Sequence, residues 1–79
     1  MKVKILPRGT LGRFFDRKKE IFIEVADGST AEEVLLVAGL DWKTCGSFGF
    51  VAVNGRKAMM DCVLRDGDEL KAYSRISGG

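Results

Sequence analysis

The opening residues, MKVKIL, alternate. Val3 and Ile5 fall on one face and Lys2 and Lys4 on the other, which is the period of a half-buried strand. Pro7, Gly9 and Gly12 interrupt that run, and after a charged stretch the alternation resumes in EIFIEVADG. There Ile21, Ile23 and Val25 share one phase, Glu20, Phe22 and Glu24 take the other, and Asp27-Gly28 closes the run with a turn pair. The two runs predict a hairpin with a long loop.

The period then changes. In STAEEVLLVAGL, Ala31, Val34, Leu35 and Ala38 stand at the i, i+3, i+4, i+7 spacing of one buried helical face. Ser29 or Thr30 can cap this helix, Glu32 or Glu33 lies at the capping-box distance, and Gly39 is a stop. Trp42 follows and is read as packing at the helix end. FVAVNGRKAMM runs a β-rich segment into Asn54-Gly55, a tight-turn pair suited to positive φ. LRDGDELKAYS gives a second turn at Asp66-Gly67-Asp68 and a closing strand in which Leu70 and Ala72 alternate with Lys71 and Tyr73. The predicted order is strand, strand, helix, strand, short strand, strand. A sheet with one apolar face needs a partner layer, so the single helix covers one face of a mixed sheet in an α+β domain.

Composition narrows what such a domain can do. A chain of 79 residues, 46% apolar and 30% charged, fits one domain. It buries only about 60% of its unfolded surface, which supports one modest core and no deep substrate cleft. The net charge is +2 with basic residues spread along the chain, so the Arg17-Lys18-Lys19 cluster is read as a solvated loop and no nucleic-acid partner is expected. No apolar run approaches the roughly 18 residues of a membrane span, and the basic start lacks a signal-peptide core. A cytoplasmic protein with no membrane partner is expected.

Cys45 and Cys62 form no CxxC pair, and with no histidine there is no zinc set, so no metal site is expected. Both cysteines are read as small buried or half-buried apolar residues, with a disulfide between them left open. The lack of histidine also removes the commonest general base and the Ser-His and Cys-His nucleophile pairs. The protein is expected not to be an enzyme.

The last five residues, RISGG, follow the closing strand and offer nothing bulky after Ile76. The chain is therefore divided into a body, 1–74, and a flexible Gly-Gly tail, 75–79. With this tail in view, VAVNG, LRDGDEL and the final SGG together resemble the ubiquitin-like sulfur carriers of thiamine and molybdopterin biosynthesis, the ThiS/MoaD family. The resemblance implies a ubiquitin-like β-grasp fold: a mixed four- to five-stranded sheet packed on one main helix, with an extended C-terminal tail. It also implies that Gly79 is the working residue. Its carboxylate would be adenylated by an E1-like enzyme using ATP and converted to a thiocarboxylate by a persulfide sulfur donor, with no cofactor bound permanently by the carrier. The acceptor side would be a thiazole synthase or the large subunit of a molybdopterin synthase, of which this chain would be the small subunit. Tyr73, Ser74, Arg75 and Ile76 stand where molybdopterin-type carriers commonly have prolines, and the sequence does not choose between the pathways.

The chemistry suits the tail. A carboxylate is a poor electrophile until esterified to AMP, and this requires the chain end to enter another protein's ATP site with reacting atoms about 3 to 3.5 Å apart. Five extended residues reach roughly 16 to 18 Å, and glycine at both final positions leaves no Cβ to obstruct a narrow channel. Ordering such a tail costs roughly 1 to 2 kcal/mol per residue, so the body must add contacts. Phe22 and Tyr73, on outward strand phases, are the candidates for that docking, with Arg75, Ile76, Ser77 and Gly78 along the tail. Two other readings stay open: a modifier whose terminal carboxyl is joined to lysines of other proteins, and a β-grasp interaction module with an idle tail.

Overall fold

The structure, a computed structural model, describes residues 1–75; Ile76, Ser77, Gly78 and Gly79 lie outside the described residues. The elements are β1 (Lys2–Pro7), a 3-10 helix (Gly9–Phe15), β2 (Ile21–Glu24), α1 (Ala31–Ala38), β3 (Phe48–Val53), β4 (Arg56–Ala58) and β5 (Glu69–Ser74). The five strands form one sheet in the order β2-β1-β5-β3-β4. β1 and β2 pair antiparallel as the expected long-looped hairpin, β3 and β4 form the short hairpin, and β5 lies between them, parallel to β1 and antiparallel to β3.

Strand phase sends one set of side chains to the core. Val3, Ile5, Val51, Leu70 and Ala72 are fully buried, and α1 contributes Ala31, Val34 and Leu35 to the same cluster. The helix begins at a capping box: the Thr30 hydroxyl accepts from the Glu33 amide, and the Glu33 carboxylate accepts from the Thr30 amide at 2.9 Å. Two further amides at the helix start donate to a loop, Ala31 N to Cys62 O at 2.9 Å and Glu32 N to Met60 O at 3.0 Å. Four orphan donors are a helix's usual liability, and here side chain and loop both serve them. Beyond the Gly39 stop, the Trp42 indole lies 6.0 Å from the Phe48 ring and donates to Glu32 Oε2 at 2.9 Å, so its hydrogen bond reaches back to the first turn of α1 and not to the end that it follows.

One element was not foreseen. Gly9–Phe15 reads as a punctuated loop, yet it forms a 3-10 helix that buries Leu11 and Phe15 in the core. Both cysteines are half-buried free thiols. Among the described residues no helix is long and apolar enough to cross a membrane.

Candidate functional site

β5 ends at a pinned exit. Ser74 Oγ accepts from Thr10 N at 3.2 Å, Arg75 N donates to Ser47 O at 2.7 Å, and the Arg75 guanidinium reaches Gly46 O at 3.4 Å. Two glycines make room for this passage. A Cβ on Gly9 would collide with the Ser74 hydroxyl, and one on Gly49 would stand 2.9 Å from Ser74 O. The last described residues thus run between the start of the 3-10 helix on one side and the 46–49 segment on the other.

The outward sheet face begins at this exit. Tyr73 stacks on Phe50 with ring centroids 4.7 Å apart and planes 15° from parallel, and Lys57 Nζ lies 5.2 Å over the Phe50 ring. At the other edge Phe22 is 61% exposed, with Lys4 Nζ 5.6 Å above it. A weak charge ladder joins the two ends: Lys4 to Glu69 at 4.0 Å and Lys71 to Glu69 at 4.0 Å. Lys71 stands in register between Leu6 and Ala52, both nearly inaccessible on this same face. A lysine stem laid over apolar neighbours covers them while its head stays in water. The result is a face with an aromatic group at each end and a charge-laddered, apolar-backed middle.

Phe22 and Tyr73 therefore share the outward face, though on non-neighbouring strands, and Arg75 sits at the exit. Ile76, Ser77, Gly78 and Gly79 lie outside the described residues. Sequence reasoning missed Phe50 because it assigned no phase to β3. Val51 and Val53 pack toward the core, so alternation sends Phe50 outward, and the register shift between Phe48 and Phe50 turns Phe48 back to the core. The inward phase of Val51 and Val53 was the available signal for Phe50, and the glycine between two phenylalanines was the signal for the shift. Among the described residues no group of three or more His, Cys, Asp or Glu is placed to hold a metal ion.

Solved structures share this architecture. The solution structure of the HVO 2177 protein of Haloferax volcanii is 25% identical, with a TM-score of 0.78 over 100% of this chain and 87% of that one. SAMP1 of Haloferax volcanii is 21% identical, with a TM-score of 0.77 over 100% of both chains. The protein-protein complex of subunits 1 and 2 of molybdopterin-converting factor from Helicobacter pylori contains a chain 19% identical, with a TM-score of 0.64 over 100% of both. The fold is the ubiquitin-like β-grasp. The β-grasp sheet and helix are those expected from the sequence, down to the number of strands. No protein-family model and no curated protein sequence matches the chain.

Proposed function

We propose that this β-grasp protein is a sulfur carrier that acts as a substrate, not as a catalyst. Its Gly79 carboxylate is activated by an E1-like enzyme and leaves as a thiocarboxylate. The observation that supports this most is the exit itself. The central strand β5 ends at Ser74, pinned between Gly9 and Gly49, with the stacked Phe50–Tyr73 pair beside it on an open face. A partner that grips this face holds the start of the Arg75–Gly79 segment at a fixed place, so fewer residues need ordering at the moment of reaction. The likeness in fold to a chain solved in complex with a second converting-factor subunit supports the same reading.

The steps balance as follows. A carboxylate oxygen attacks the α-phosphorus of ATP and pyrophosphate leaves, giving the acyl-adenylate. The terminal sulfur of a donor persulfide then attacks the acyl carbon and AMP leaves. A second thiol cleaves the resulting acyl disulfide, so the carrier keeps a thiocarboxylate and the donor and thiol end as a disulfide. The sulfur passes next to an electrophilic precursor on a synthase of the molybdopterin or thiazole type.

The test is intact-mass analysis after incubation with an activating enzyme, ATP and a persulfide donor. The mass should rise by the difference between one sulfur and one oxygen. Equal function from a chain lacking Gly79 would sink the proposal, and thiol-resistant conjugates to lysines would assign the protein to modification instead.

A further inference from the structure

The charge of this protein is concentrated where the carrier reading makes no use of it. Residues 8–19 hold Arg8, Arg13, Arg17, Lys18 and Lys19 against one acid, Asp16, a formal charge of +4; since the whole chain carries +2, the remainder carries −2. The fold gathers this charge. Asp16 and Arg17 both adopt positive φ, 53° and 60°, a conformation unfavourable to residues other than glycine. The turn brings Arg17 N onto Gly12 O at 2.8 Å and Lys18 N onto Phe15 O at 3.0 Å.

The outcome is a cleft of about 420 Å³ lined by Arg13, Arg17, Lys18 and Lys19 with the backbone around Gly9 and Gly12, and no acid lines it. None of those four cations makes an ion pair among the described residues; the ion pairs of lysines elsewhere use Lys4, Lys43 and Lys71. Lys18 also lines a second cleft of about 340 Å³ with Phe14, Asp16, Ile21 and Phe22. Phe14 is 43% exposed, and the Arg13 guanidinium lies 5.1 Å over its ring.

We propose that the connection between β1 and β2 is a nucleotide site. The phosphate lies in the basic cleft against Arg13, Arg17, Lys18 and Lys19, and the base stacks on Phe14. Guanidinium groups match phosphate oxygens in a bidentate fork. An aromatic face beside a cation is the usual platform for a base. An acidic protein surface would answer the charge but not the concavity or the exposed ring. The sequence expectation of a solvated loop rested on charge averaged over the chain, and the fold concentrates that charge on one side of one loop. A free nucleotide and a single-stranded nucleic acid both carry this chemistry. The test reads binding by the cleft and not activation of Gly79, so its outcome is independent of the carrier reading.

The experiment is fluorescence anisotropy of the full chain with a fluorescein-labelled short RNA at low salt, competed by ATP and by tripolyphosphate. Saturable RNA binding below millimolar concentration is expected. With about three phosphate contacts, log K should fall with log salt at a slope of about −2. The double variant Arg17→Asn/Lys18→Gln should bind at least about tenfold more weakly, asparagine being chosen because it tolerates positive φ. Phe14→Ala should weaken RNA and ATP about fivefold or more and leave tripolyphosphate unchanged. Lys43→Gln, at a lysine that pairs with Glu32 and does not line the cleft, should change nothing. ATP competing as well as RNA assigns the site to free nucleotides, and RNA binding far more tightly assigns it to nucleic acid. No saturable binding of either, full binding by the double variant, or a Phe14→Ala protein with wild-type affinity for both overturns the proposal.

Discussion

Gly49 abuts Ser74: a methyl group on its Cα would stand 2.9 Å from the Ser74 carbonyl oxygen and 3.0 Å from the Arg75 amide nitrogen. These are backbone atoms, so no side-chain rotation relieves the contact. Gly49→Ala should therefore push β3 and the end of β5 apart, at a cost of about 1 to 3 kcal/mol by analogy with overpacking. In a domain of this size that is a Tm lower by about 4 to 8 °C per kcal/mol. Calorimetry measures it, and an unchanged Tm with unmoved amide resonances at Arg75 would refute the tight exit.

The capping box makes a second prediction. Thr30→Ala removes the acceptor of the Glu33 amide and should cost about 1 kcal/mol, within the usual 0.5 to 2 for lost N-caps. Glu33→Ala in that background should cost less than it does alone, because the two side chains act as one unit. Denaturant unfolding of the four proteins closes the cycle, and strict additivity would show that the box is not coupled.

Much of this fold was legible because local chemistry and global placement agree. Val3, Ile5, Leu70 and Ala72 lie where alternation puts them, and the helix from Ala31 to Ala38 has the spacing, cap and stop that the sequence spells. The 3-10 helix was hidden because Gly9 and Gly12 are strong breakers and so short a helix needs only Leu11 and Phe15 to anchor it. The placement of Phe48 and Phe50 was hidden for another reason: alternation with Val51 and Val53 sends Phe50 outward, but the bulge at Gly49 shifts phase by one residue and turns Phe48 inward, so no single period runs through the segment. The backbone groups of Thr10, Gly46 and Ser47 that pin Ser74 and Arg75 come from segments distant in sequence, so no local pattern announces them.

Asn54 does two jobs. It takes positive φ, 49°, in the β3–β4 turn, and its side chain crosses to the start of β5, accepting from Glu69 N at 3.0 Å and donating to Asp68 Oδ1 at 2.9 Å. Asn54→Gly keeps the turn and loses only the crossing bonds, so it should cost about 1 kcal/mol or somewhat more. Asn54→Ala loses both and should cost about 1 to 2 kcal/mol beyond that. Chemical denaturation ranks the two, and equal stabilities would remove the turn's part in the argument.

The outward aromatic pair should matter to a partner as well as to the fold. Tyr73→Ala and Phe50→Ala each leave the buried core intact, so each should lower stability by about 0.5 to 1.5 kcal/mol from the lost stacking and by about 1 to 2 kcal/mol more from the partly buried ring. Affinity for the activating enzyme, read by calorimetric titration, should fall about tenfold or more, which is 1.4 kcal/mol. Val37→Ala, exposed on the helix side, is the control and should bind normally. If the control and the aromatic variants bind alike, the sheet face is not the docking surface.

The strand order β2-β1-β5-β3-β4 has a consequence for how this protein is made. β5, translated after every other element, is the piece that joins two otherwise separate hairpins, and it brings contacts of long sequence separation that form slowly. A nascent chain still lacking residues 69–74 holds two ribbons with no shared sheet. Closure of the sheet therefore waits for β5, and a chain released before residues 69–74 are made has no strand to bridge its two halves.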